Sequence, residues 1–283
     1  MLYSKNPGTA QTVIKTKHLG FLFFIISIYI LGALILFKYY KYQINPDGTS
    51  YLSIAQKYAL GDFERAINKY WPPLFSLGIA PIIYYVKNPF LSEKIFSLGL
   101  GILTLFGFWA LSYKFRMQEL IRKIIVLTTI PVVWLSAFSV ISPDLLLASL
   151  SLFYINIILS AGYKSETKFG LFAGILGGLM HLSKAFGFFF FIFSFVIYNL
   201  ILFVKSPKFV KRQVVINFII GLSVFFTICS IWIAILSLKY QRFVFYVANY
   251  GNFTHAFVGP NEPNLFSFSD KGLLPPREGQ LSA

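Results

Sequence analysis

Apolar residues along this chain gather into long blocks separated by short polar or basic links. The blocks at 19–37, 91–113, 124–140, 145–159, 169–204 and 214–238 approach or exceed the length needed to cross a bilayer as helix. Lipid offers no partner to backbone polar groups, so each crossing must be helical. Strict alternation is weak throughout, which argues against a membrane β-barrel. The block 169–204 is long enough to fold back on itself, with His181-Leu182-Ser183-Lys184 as its polar tip. The pattern therefore predicts an all-α polytopic membrane protein with about seven spans, and eight as the alternative.

Two further segments are helical in pattern but not spans. Residues 49–60 place Tyr51, Ile54 and Tyr58 on one face. They are too polar to cross and suit a helix lying in the interface, tyrosines at headgroup level. Block 72–86 is short and crowded by Pro72, Pro73 and Pro81. If it crossed, Lys114, Arg116, Arg122 and Lys123 would fall outside, against the positive-inside rule. It reads as a juxtamembrane or re-entrant helix.

Composition sharpens this picture. The 283 residues are 57% hydrophobic and only 12% charged, with 25 basic against 10 acidic residues. A net charge of +15 could suggest nucleic acid, but the basic residues cluster in links between spans, as cytoplasmic anchors do. The lipid bilayer is the predicted partner, and no nucleic acid. Lys5, Lys15, Lys17 and His18 precede the first block and favour a cytoplasmic N-terminus in a multi-pass cell-membrane protein. That block is too long, and lacks the small-residue cleavage signature, for a cleaved signal peptide. Cys229 is a lone cysteine inside an apolar run, so no intrachain disulfide or cysteine metal cluster forms. Residues 1–238 read as the membrane region, with a first outer loop at 41–71, and 239–283 as an external segment.

Acids are scarce, so their positions constrain function. The outer face collects Asp47, Asp62, Glu64, Glu93 and Asp144, with Arg65, Lys69, His181, Lys184 and Arg242. Glu119 and Glu166 fall on the cytoplasmic side. Carboxylates beside cations suit a hydroxyl or amine acceptor and an anionic leaving group: one activates the acceptor, the other stabilises the departing charge. Plainer readings stand beside these. Asp47 favours the start of a following helix. Ser142-Pro143-Asp144 suits a helix start, with Ser142 as cap. Lys184 can snorkel, and His181 can simply pack. The three histidines show no metal spacing, while a divalent ion held between Asp47 and Asp144 stays open. Asn252-Phe253-Thr254 matches a glycosylation acceptor.

Four elements in order carry a family resemblance. They are Pro46-Asp47-Gly48 with Tyr51, the turn Trp71-Pro72-Pro73-Leu74, Ser142-Pro143-Asp144, and Leu182-Ser183-Lys184 after a Gly-rich half-span. With them, residues 20–260 resemble the GT-C membrane glycosyltransferases that use polyprenyl-phosphate sugars. Lipid A aminoarabinose transferases, protein mannosyltransferases and rhizobial lipopolysaccharide core transferases are the most similar. The resemblance implies juxtamembrane helices and inverting transfer of a sugar from a polyprenyl-phosphate donor to an external glycan, lipid or protein acceptor. It implies Asp47 as catalytic base or acceptor-orienting acid and Asp144 as a second active-site acid, either tied to a metal. It places Lys184 and Arg242 near the carrier phosphate, with Lys69 and Tyr51 as further donor contacts. Such enzymes run to eleven to thirteen spans, so the chain is expected to match their first part. A secondary transporter and a non-catalytic or inactive truncated membrane protein are the alternative readings.

Overall fold

A computed structural model describes residues 7–245, with side chains from residue 20 onward. The lysines of the first nineteen residues and the Asn252 acceptor lie outside the described side chains, as does most of the external segment 239–283. Among the described residues the chain is helical and contains no strand. Helix α1 (Pro7–Tyr40) is followed by α2 (Pro46–Ala59), the single turn α3 (Phe63–Ala66) and α4 (Pro73–Val86). Then come α5 (Pro89–Ser112), α6 (Glu119–Phe138), α7 (Asp144–Ile158), α8 (Lys168–Ser183), α9 (Phe186–Lys205) and α10 (Lys208–Tyr240).

Five of these are long and apolar enough to cross a membrane: α1 from Gly20, α5, α6, α9 and α10. Helices α4, α7 and α8 are apolar but shorter. At 16 residues, α8 is about 24 Å long, less than the hydrocarbon thickness. The seven predicted spans thus become five full-length helices with two short ones, α7 and α8, packed among them. Block 72–86 forms α4 against α2 and α5.

Helix directions alternate. Lys94 of α5 reaches the carbonyl of Phe138 of α6 at 3.1 Å, so the start of one lies beside the end of the other. Thr104 of α5 meets Ser149 of α7 at 2.6 Å, and Asn156 donates to Gly107 at 2.9 Å, so these two run parallel. Helix α8 returns beside α10, with backbones touching: a Cβ on Gly174 would lie 2.4 Å from the Gly221 oxygen. Small residues allow such approach, which apolar chains in lipid exploit. The links α5–α6, α7–α8 and α9–α10 therefore share one end of the bundle. They carry Lys114, Arg116, Arg122, Lys123, Lys164, Lys168, Lys205, Lys208, Lys211 and Arg212, with only Glu119 and Glu166 as acids. Asp47, Asp62, Glu64, Glu93 and Asp144 lie toward the opposite end.

Two apolar clusters hold the bundle. The first joins α1, α2, α4, α5 and α6, and the second joins α7 to α10. Helix α7 contributes to both, with Leu145 and Leu146 in one and Tyr154 and Ile158 in the other. Tyr51, Ile54 and Tyr58 do share a face of α2, but all three are buried. That face packs on α4.

Candidate functional site

The acidic end is built around the α6–α7 connection, residues 139–143. Three elements fix it. The last carbonyls of a helix lack intrahelical partners, and here Lys94 Nζ donates to that of Phe138. Gln43 donates its side-chain amide to the Ser139 carbonyl at 3.3 Å. Asn45 accepts the backbone N–H of Ile141 at 2.8 Å. Asn45 is the residue before α2 and ordinarily would cap it, yet its side chain makes no cap hydrogen bond. It is committed to the other loop instead.

Asp47 occupies the first turn of α2, which begins three residues before the helix expected from the sequence. Its charge suits that helix end, and the side chain is exposed. The neighbouring Gly48 explains the Pro-Asp-Gly pattern. A Cβ there would lie 2.8 Å from Ile141 Cβ and 2.8 Å from Asn45 Oδ1. Only glycine lets the start of α2 rest on the α6–α7 connection.

Asp144 opens α7, one residue later than a Ser142 cap alone would give. The Ser142 hydroxyl donates to Asp144 Oδ2 at 2.9 Å, and Asp144 Oδ1 pairs with Lys184 Nζ. Lys184 stands in extended backbone (φ −158°, ψ 143°) where α8 stops and α9 begins. That break turns its side chain out of both helices. The pair is half-exposed, 42% for the lysine and 57% for the aspartate. Exposed pairs contribute about 0–1 kcal/mol, so geometry is what this one secures.

The structure thus brings the Asp47 segment, Asp144 and Lys184 to one patch. Lys69 and Arg242 belong to a different cluster. Lys69 Nζ lies 5.7 Å above the Tyr240 ring, and Arg242 follows the end of α10 with its side chain exposed. Lys239 fastens this cluster by donating to the Glu64 and Ile67 carbonyls, both at 2.6 Å. Nearby, burial lowers the Lys57 pKa from its ordinary value, opposed by Asp62 and reinforced by Arg65. Tyr51 is buried between Trp71, at 4.6 Å, and Phe75, at 5.2 Å, so it holds the wall rather than facing a ligand. His181 is buried against Phe188.

Both oxygens of Asp144 already accept hydrogen bonds, and among the described residues no three His, Cys, Asp or Glu side chains converge. A divalent ion between Asp47 and Asp144 would compete with the Lys184 ammonium for Asp144, and no chemical step is assigned to a metal.

Sequence reasoning missed Lys94. With Glu93 it forms a fully buried pair at 3.1 Å, and Ser97 donates to the carboxylate at 2.6 Å. Adjacent opposite charges near the start of an apolar block were the available signal. Asn68 was passed over too. Its oxygen accepts the Tyr70 and Trp71 N–H groups at 3.1 and 2.6 Å and shapes the turn into Pro72-Pro73. Compared with protein-family profiles, curated proteins and solved structures, the chain matches none of them.

Proposed function

We propose that this membrane protein transfers a sugar from a polyprenyl-phosphate carrier to an acceptor at the acidic end of the bundle, with inversion. The carrying observation is the patch formed by the Asp47 segment, Asp144 and Lys184. Basic links at the other end favour a cytoplasmic placement for that end, which turns the patch to the external or periplasmic face. In the proposed step an acceptor O–H oxygen attacks the anomeric carbon opposite the phosphate. A new C–O bond forms as the bond to phosphate breaks. The acceptor proton passes to Asp47, and the bonding electrons leave on phosphate. Lys184 has three N–H donors, one given to Asp144; the others meet the growing charge. Asp144 is then a positioning residue for Lys184.

The test is transfer from a defined undecaprenyl- or dolichyl-phosphate sugar by purified protein. Asp47→Asn should abolish turnover while expression and thermal stability hold. Normal turnover by that variant would remove Asp47 from the mechanism.

A second reading, secondary transport, draws on one observation: ionisable groups inside a membrane segment are often functional, and Glu93–Lys94 is buried in α5. The pair sits in the first turns of the helix and Lys94 is also bound to Phe138, which suits a fixed clamp better than a moving charge. Proton uptake in liposomes that vanishes with Glu93→Gln would favour transport.

A further inference from the structure

The basic end of the bundle carries a feature that sugar transfer does not use. Helices α9 and α10 line a groove of about 450 Å³ beside their connecting turn. Val196, Leu200, Phe203, Val215, Phe218 and Ile219 line it. One polar side chain, Asn199, reaches the wall, and both ends of its amide are already hydrogen-bonded within the protein. Its oxygen accepts from Tyr163 at 2.9 Å and its Nδ2 donates to the Phe195 carbonyl at 2.8 Å. The groove therefore offers apolar surface alone. Leu200 and Ile219 are exposed, so it opens sideways, toward lipid in a bilayer.

Its mouth is strongly basic. Lys205, Lys208, Lys211 and Arg212 crowd the turn between the two helices. Lys211 is joined to the groove itself, with Nζ 4.7 Å above the ring of Phe203. No Asp or Glu occurs from residue 167 to residue 245. The nearest acid in the preceding link, Glu166, is paired with Lys168 at 2.5 Å. Among the described residues none of the four cations forms an ion pair. An apolar slot ending in unpaired cations, at membrane depth, matches one chemistry: an acyl chain joined to an anionic headgroup.

We propose that the α9–α10 groove binds an anionic phospholipid. One acyl chain lies against Leu200, Phe218 and Ile219, and the headgroup phosphate meets Lys208, Lys211 and Arg212. The site lies at the opposite end from Asp47 and Asp144, so it is separate from the donor site and independent of the activity proposed there. Basic residues beside a membrane recruit anionic lipid by charge, and the groove adds a fixed place for the chain.

The experiment uses full-length protein in detergent, titrated with phosphatidylglycerol or phosphatidylcholine, with bound lipid counted by native mass spectrometry. Soluble glycerophosphate serves as the headgroup alone. Phosphatidylglycerol should be retained roughly ten-fold more tightly than phosphatidylcholine, and glycerophosphate should not be retained. The triple variant K208Q/K211Q/R212Q should lower phosphatidylglycerol to the phosphatidylcholine level. Ile219→Trp, which fills the groove and keeps every charge, should weaken retention of both lipids, while thermal unfolding shows that each variant is folded. Equal retention of the two lipids by wild-type protein overturns the proposal. So does undiminished retention by Ile219→Trp, or glycerophosphate binding as tightly as the whole lipid.

Discussion

The side-chain oxygen of Asn45 accepts the backbone N–H of Ile141 at 2.8 Å, joining two loops 96 residues apart. One loop begins the helix that carries Asp47. The other leads into Asp144. Replacing Asn45 with Ala leaves the Ile141 N–H without its partner. Such a loss costs about 1–3 kcal/mol. Thermal unfolding in detergent should fall accordingly, and turnover should fall further than stability because the two acids lose their common anchor. Unchanged turnover would show that the loops need no such tie.

Gly48→Ala supplies a test of sign. In an exposed helix this change adds about 1 kcal/mol of stability. Here the new Cβ would meet Ile141 Cβ at 2.8 Å. Overpacking of this kind costs about 1–3 kcal/mol, so the variant should be less stable than wild type. A gain in melting temperature would mean that the two segments separate freely.

The Glu93–Lys94 pair should behave as a buried unit. Removing one partner of such a pair costs about 3–5 kcal/mol, because the other charge is left uncompensated. Lys94→Met should therefore unfold far more easily than wild type, and Glu93→Gln/Lys94→Met should recover most of the loss. A double variant worse than Lys94→Met alone would assign the damage to lost packing or to the Phe138 contact instead.

Asp144 and Lys184 should show the opposite balance. Because the pair is half-exposed, Asp144→Asn and Lys184→Gln should each change stability by less than about 1 kcal/mol. Both should lower kcat for transfer with little change in KM for the acceptor. Their effects should not add, since the two residues act through one geometry. Additive losses would separate their roles.

Chelation tests the metal question directly. Both Asp144 oxygens are occupied by Lys184 and Ser142, so EDTA should leave melting temperature and turnover unchanged. Loss of either on chelation, restored by a divalent ion, would show that a cation displaces Lys184.

The sequence by itself determined the helices and their sorting. Apolar block lengths placed α1, α5, α6, α9 and α10 within a few residues at most ends, because in lipid a long apolar run has only one way to satisfy its backbone. Even the break at Lys184 was visible, as a polar tip within an apolar block. Charge in the links separated Glu119 and Glu166 from the other acids, and the helix directions place the links the same way. What the tertiary structure alone decided is which side chains meet. Nothing local shows that Asn45 abandons its own helix for Ile141, that Lys94 turns inward to pair with Glu93 and grip Phe138, that Tyr51 packs on Trp71, or that Asp144 reaches Lys184. These contacts span tens of residues and depend on the alternation and close packing of whole helices. Composition and periodicity report how each segment meets its solvent, not which segment becomes its neighbour.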